Sequence, residues 1–507
     1  MDITDVIKNI PLTAPVEISA GDVASVCYHS GSCRENSLFV AIRGLKANGH
    51  RFVADAATKG ARWVIHEEPV EAPGGVMLLP VADSRKALGT AAQNFYRHPS
   101  ADLCLIGVTG TNGKTTITYL LESVFTAAGF SPGVLGTVNY RYGKQILPAP
   151  NTTPESLDLQ KILRQMADDK TTHCIAEVSS HALDLGRVDD CDFDVAVFTN
   201  LTQDHLDYHG TMEAYYKAKE RLFCDLIPRS RKSRSPNKVI NGDDPWCARL
   251  KELEGILTFG ISPQHDVWAD DIHISLDGIE ARIHLPGTSF PLASCLTGQF
   301  NLYNILAAVA CACALDVPPE AIRTGIAQMP GVPGRMERVS VSGEPCVFVD
   351  YAHTDDALAN ALETLRTFGN DRLITLFGCG GGRDQGKRPK MGKVASQLSN
   401  RVIITSDNPR SEDPLVIIEE IERGILPEMP KVSPAELFAD KKHGYCVIPD
   451  RREAIETAIR LAHKDDIILI AGKGHEDYQI IGEKRLFFDD RVVARSSLEK
   501  REKEQNK

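Results

Sequence analysis

The chain has 507 residues, 42% apolar and 25% charged, with 57 Lys and Arg against 68 Asp and Glu for a formal charge of -11. At about 150 residues per domain this length predicts three domains, and the acidic balance argues against nucleic acid or an anionic membrane as partner, leaving any anionic ligand to local clusters. Thirteen cysteines without a C-x-x-C pair favour reduced thiols over zinc or disulfides. With no signal-peptide core and no apolar run of bilayer length, the expectation is a soluble cytoplasmic monomer.

Residues 1–98 read as a mixed α/β domain, with strand-like runs at 37–42, 62–66 and 76–81 and a turn-rich segment at 44–49. A boundary follows at His98-Pro99-Ser100. Across 99–330, strands at 103–108, 134–138, 173–178 and 194–198 alternate with helices at 115–127 and 155–166, which predicts a doubly wound, mostly parallel sheet. Residues 266–285 alternate apolar and polar instead, as an antiparallel flap does. Met329 to Gly334 form a Pro/Gly linker, and 331–507 begin a second alternation, with strands at 347–351, 373–377, 402–405 and 467–471 and helices at 356–367 and 452–463. That pattern predicts a Rossmann-like α/β domain. The fold class is therefore α/β throughout.

The string Val108-Thr-Gly110-Thr111-Asn112-Gly113-Lys114-Thr115-Thr116 joins a buried strand to a helix start. Its glycines let backbone N–H groups face an anion, the helix N-terminus adds partial positive charge, Lys114 can reach outer phosphates, and Thr115 offers a hydroxyl to Mg²⁺. The general P-loop has a further glycine where Val108 stands. A nucleoside triphosphate is the expected ligand. Two strands expected in the same sheet end in Glu177-Val-Ser179-Ser-His181 and Thr199-Asn-Leu-Thr-Gln-Asp204-His205-Leu-Asp207-Tyr-His209, and a carboxylate and an imidazole at that edge could hold a divalent cation beside the γ-phosphate. A capping or core role is the alternative for either residue. In the last domain the strands run into Asp350-Tyr-Ala-His353, Gly378-Cys-Gly-Gly-Gly-Arg383, Asp407-Asn408-Pro-Arg410 and Gly472-Lys-Gly-His-Glu476. Carboxyl ends of parallel strands share one edge, so these polar loops should converge on one crevice.

These strings, with Gly298-Gln-Phe-Asn301-Leu-Tyr-Asn304 and Gly334-Arg335-Met-Glu337, resemble those of the Mur ligases, and within that family the members that add meso-diaminopimelate to UDP-N-acetylmuramoyl-L-alanyl-D-glutamate. The resemblance implies an N-terminal UDP-binding domain, a central ATP-binding domain and a C-terminal amino-acid-binding domain. It implies an ATP-dependent amide ligase of peptidoglycan precursor synthesis that activates the γ-carboxyl of D-glutamate as an acyl phosphate. Lys114, Glu177, His205 and Lys219 would be catalytic, with Thr115, Glu177, His205 and a CO₂-derived carbamate on Lys219 placing Mg²⁺. Asn301, Arg335, Asp350 and His353 would contact ATP together with residues 110–116.

By the same resemblance Arg383, Asp407, Asn408, Arg410, Gly472 and Glu476 would receive diaminopimelate, whose extra carboxylate over lysine suits a guanidinium. An Asp-Asn helix cap with an exposed arginine is the plainer alternative. Ser30, Leu45, Lys46, Ala47, Thr152, Thr153, Ser179 and Arg187 would contact the UDP-muramyl dipeptide. The chain departs from the family in having His29-Ser30-Gly31 for Asp-Ser-Arg and Asp355 for Pro. The rival expectations are the same ligase using L-lysine, a folylpolyglutamate synthase, and a slow P-loop switch, the last lacking an Asn-Lys-x-Asp string.

Overall fold

Three sheets built mainly of parallel strands carry the chain, in a computed structural model that describes every residue except 45–46, 72, 233, 236, 341–344, 370–372, 440–442 and 506–507. The described residues form two compact units, the first comprising Met1–Asp271, Ala281–Leu292 and Tyr303–Gln328, the second Ile272–Glu280, Ala293–Leu302 and Met329–Lys507.

In the first unit, strands Ser25–Cys27, Ser37–Val40, Ala61–His66 and Met77–Pro80 pair in chain order, all parallel. Helix Ser84–Phe95 follows, its N-terminus capped by Asp83, whose carboxylate accepts from the N–H groups of Arg85 and Lys86. An eight-stranded sheet makes up the rest, in the order Ile256–Phe259, Lys238–Asn241, Val195–Phe198, Cys104–Thr109, His173–Glu177, Pro132–Leu135, Asn139–Tyr142, Gln145–Pro148. The first six strands are parallel. Every residue of Val195–Phe198 and His173–Glu177 is buried, as strands covered on both faces require. The last two strands are an antiparallel hairpin that the sequence did not reveal, because neither Asn139-Tyr-Arg-Tyr142 nor Gln145-Ile-Leu-Pro148 is an apolar run. Helix Lys114–Ala127 packs so closely on Pro319–Gln328 that a Cβ at Gly325 would lie 2.4 Å from the Val124 Cα.

In the second unit a six-stranded sheet has the order Glu337–Arg338, Cys346–Asp350, Ile467–Ala471, Leu373–Phe377, Arg401–Ile404, Gly444–Val447, with only the first strand antiparallel. The four strands singled out for their polar loops are thus four consecutive neighbours. The expected flap has a third strand, forming a sheet in the order Trp268–Ser275, Gly278–Leu285, Thr288–Ser294. Among the described residues no helix is long and apolar enough to cross a membrane.

Candidate active site

The glycine-rich turn at 110–113 leaves strand Cys104–Thr109, whose neighbours are the strands ending in Glu177 and Phe198. Gly110 sits at φ +143° and Gly113 at +87°, conformations that L side chains rarely adopt. Space forbids a side chain as well: a Cβ at Gly110 would lie 1.9 Å from Thr199 Oγ1, and one at Gly113 2.2 Å from Asn304 Oδ1. The turn is laced to the next loop. Thr111 N–H donates to Asn200 O at 2.9 Å, Asn112 N–H to Asn200 Oδ1 at 3.0 Å, and Thr199 Oγ1 to Asn112 O at 2.6 Å. Thr115 and Thr116 lie in the first turn of the helix that begins at Lys114, largely buried.

Two lysine amines meet at this turn. Lys114 Nζ donates to the carbonyls of Gly110 and Thr111, each at 2.8 Å, and Lys219 Nζ donates to the same Gly110 carbonyl at 2.8 Å. Lys219 and Tyr215 lie four residues apart on helix Met212–Arg221, hence on one face, with Nζ 4.6 Å from the ring centroid. Lys219 is 1% exposed. Burial, reinforced by the charge of Lys114, pushes its pKa well below the usual lysine range.

Glu177, also 1% exposed, has one oxygen accepting from Thr137 N–H at 2.9 Å and the other from Thr137 Oγ1 at 3.0 Å. The sequence extended the preceding strand to residue 138, but it ends at Leu135 because the backbone turns there to meet this carboxylate. Thr137 Oγ1 touches Thr152 Oγ1 at 3.1 Å, Thr153 Oγ1 donates to Glu177 O at 2.8 Å, and Ser179 N–H donates to Thr153 Oγ1 at 3.0 Å. Arg187 completes the group, donating to Thr153 O at 3.2 Å and pairing with Glu155 at 3.5 Å. His205, at φ +52°, stands edge-on to His181 at 4.8 Å. Burial lowers the pKa of both, so both rings are neutral near pH 7. Among the described residues no three His, Cys, Asp or Glu side chains are grouped to hold a metal. The expected set has only Glu177 and His205 of those types.

Ser30 lies half-buried in the short turn Ser30–Ser32, and Ala47 is exposed, with its carbonyl accepting from Gly44 N–H at 2.9 Å. Leu45 and Lys46 lie outside the described residues.

In the second unit Asp350 accepts from Met336 N–H at 2.6 Å and Ala352 N–H at 2.7 Å, and burial raises its pKa against the pull of Arg335. The Arg335 guanidinium lies 4.9 Å over the Tyr351 ring. His353 touches Tyr351 O at 2.8 Å, while Asn301 Nδ2 donates to Thr297 O at 2.8 Å.

The loops after strands Leu373–Phe377, Arg401–Ile404 and Ile467–Ala471 do converge. Asn408 Nδ2 donates to Glu476 Oε2 at 2.8 Å, Gly381 N–H to Asn408 O at 2.9 Å, and Arg410 Nη1 to Gly381 O at 2.8 Å. A Cβ at Gly472 would lie 2.7 Å from Asp407 Oδ2. Arg383 stands apart, exposed on its loop. Sequence reasoning passed over Lys473, which is completely buried and donates to Asn408 Oδ1 at 3.3 Å, Glu476 Oε2 at 3.2 Å and Tyr478 O. It also passed over Arg388, which holds Glu412 and Glu420 and steadies the glycine loop through Gly380 O at 3.3 Å. Both stand inside or beside quoted motifs, but a lysine among glycines looks exposed until the fold closes over it.

Residues 22–96 match the Mur ligase family, catalytic domain, 108–312 the Mur ligase middle domain, and 334–474 the Mur ligase, glutamate ligase domain. The chain is 48% identical over 467 residues to the UDP-N-acetylmuramoyl-L-alanyl-D-glutamate--2,6-diaminopimelate ligase of Geobacter metallireducens, 91% of each chain being covered. A solved structure of a ligase of the same name is similar at TM-score 0.69 and 33% identity, over 99% of both chains. A MurF ligase from Thermotoga maritima, solved in complex with ADP, shares the fold at TM-score 0.59 and 18% identity, over 95% of this chain and 99% of that one.

Proposed function

Because the chain belongs to the Mur ligase family, we propose that it is the ATP-dependent ligase joining meso-2,6-diaminopimelate to the γ-carboxyl of D-glutamate in UDP-N-acetylmuramoyl-L-alanyl-D-glutamate, a step of peptidoglycan precursor synthesis. The near end-to-end likeness to a ligase of that name carries the reading. The phosphate-binding turn supports it.

The backbone N–H groups of Gly113, Lys114 and Thr115 at the helix start, with the Lys114 side chain, hold the triphosphate while the D-glutamyl carboxylate attacks the γ-phosphorus and ADP leaves. The diaminopimelate amine then attacks the acyl phosphate, and phosphate departs as the amide forms. Neither step needs a covalent bond to the protein, so its contribution is positioning and charge stabilisation. Mg²⁺, when bound, supplies positive charge to the phosphoryl oxygens.

The donor set fits such a cation on one condition. Thr115, Glu177 and neutral His205 offer oxygen and nitrogen ligands, whereas the Lys219 ammonium would repel a divalent ion. Burial makes Lys219 give up its proton more readily than a free lysine, and the uncharged amine is a nucleophile toward CO₂. Its nitrogen bonds the carbon and releases one proton, leaving a carbamate that brings negative charge and oxygen donors. This is the chemistry assigned to Lys219.

The same reading gives Asn301, Arg335, Asp350 and His353 to ATP, and Ser30, Ala47, Thr152, Thr153, Ser179 and Arg187 to the nucleotide dipeptide. Arg383, Asp407, Asn408, Arg410, Gly472 and Glu476 go to diaminopimelate. It divides the chain at 1–98, 99–330 and 331–507, and takes the protein as a cytoplasmic monomer. The deciding experiment is ADP release with UDP-muramyl dipeptide against a panel of amines. Meso-diaminopimelate should be preferred over L-lysine at least tenfold, since the partly buried Arg410 guanidinium left without its carboxylate costs ~1–3 kcal/mol. Preference for lysine would overturn the assignment.

A further inference from the structure

Cys27 and Cys33 bracket the turn that carries Ser30, and their sulfurs lie 2.8 Å apart. A disulfide bond is about 2.05 Å long, so closing the gap takes a shift of under ~1 Å. Cys27 ends the buried strand Ser25–Cys27, is 3% exposed, and points its Sγ at the Leu38 carbonyl 3.6 Å away. Cys33 is half-exposed at the end of the turn, its N–H donating to Ser30 O at 3.1 Å. The Cys27 thiol and the nearby Lys59 ammonium lower the Cys33 pKa against the opposing pull of burial and of the Asp55 carboxylate, which pairs with Lys59 at 2.8 Å.

We infer that Cys27 and Cys33 form a reversible dithiol–disulfide site, oxidised by low-molecular-weight disulfides, that restrains the turn presenting Ser30. The half-exposed Cys33 sulfur, as its thiolate, attacks one sulfur of the small disulfide, forming a mixed disulfide and expelling one small thiolate. Cys27 then gives up its proton and attacks the Cys33 sulfur, expelling the second. Two electrons pass from the cysteine pair to the small disulfide, which leaves as two thiols. The asymmetry suits the sequence of events, since the accessible sulfur reacts first and the buried one resolves it at contact distance.

The test treats the full-length protein with oxidised glutathione, alkylates remaining thiols and maps peptides by mass. Expected is loss of two hydrogen atoms on the peptide holding residues 27–33, with neither cysteine alkylated and both recovered by dithiothreitol. Cys33→Ser should abolish the linkage, and circular dichroism checks its folding. Free alkylation of both cysteines after treatment, or a glutathione adduct persisting on Cys33, would overturn the site. The restraint is read separately. Oxidation should raise KM for the nucleotide dipeptide several-fold while leaving KM for ATP unchanged, and Cys33→Ser should show no such response. A linkage that forms without moving that KM refutes the restraint and leaves the ligase reading untouched.

Discussion

Replacing Lys473 with methionine keeps length and burial but removes the charge that holds Asn408, Glu476 and Tyr478 together. The variant loses donations to Asn408 Oδ1 at 3.3 Å, Glu476 Oε2 at 3.2 Å and the Tyr478 carbonyl. Asn408 keeps its acceptor occupied by Ile480 N–H at 2.9 Å, and Glu476 keeps Asn408 Nδ2 at 2.8 Å. Deleting one member of a buried ion pair typically costs ~3–5 kcal/mol. Glu476 is 16% exposed, so water recovers part of this, and ~2–3 kcal/mol is expected in all. About 1.4 kcal/mol of that in amine binding already means a tenfold rise in KM. The expected result is a KM for diaminopimelate raised ~10–100-fold with KM for ATP within about twofold. ADP-release kinetics with each substrate varied in turn measure both, and a thermal melt separates instability from site loss. An unchanged KM for diaminopimelate in a folded variant would refute the positioning argument, as would an equal rise for ATP.

Lys219→Ala should lose most activity and recover part of it with a small added carboxylic acid, which supplies the oxygen donors of the carbamate; wild-type turnover without additive would contradict that role. Gly113→Ala forces a side chain into φ +87° and against Asn304 Oδ1. The backbone strain alone costs ~1–2 kcal/mol, so ADP affinity by calorimetry should fall about tenfold or more, and undiminished affinity would count against the cradle. His173, packed at 4.5 Å on Phe125 and 4.3 Å on Phe130, is pushed down to about 4 by burial. Its neutral form is favoured by the fold, so stability is complete above pH ~6.5 and is lost as pH falls toward 4, at up to ~1.4 kcal/mol per unit. Urea melts should show His173→Leu losing up to ~2 kcal/mol less than wild type between pH 7 and 5, and equal losses would refute the burial argument.

Alternation of apolar runs with amphipathic helices is a local property, and so is a glycine spacing that opens a phosphate-binding turn. The α/β class, the turn at 110–115 and the loops after each strand could therefore be read along the chain. Edges were off by up to three residues, and strands such as Asn139–Tyr142 escaped because polar Asn139 and Arg141 leave no apolar run to read. Other features are partnerships between distant residues. That Glu177 is held by Thr137, that Lys219 and Lys114 share one carbonyl, and that Lys473 is buried against Asn408 and Glu476 depend on which strands become neighbours. Neighbour choice comes from packing both faces of a sheet at once, a condition that no stretch of residues expresses alone. Burial then decides how readily each lysine gives up its proton, as at Lys219.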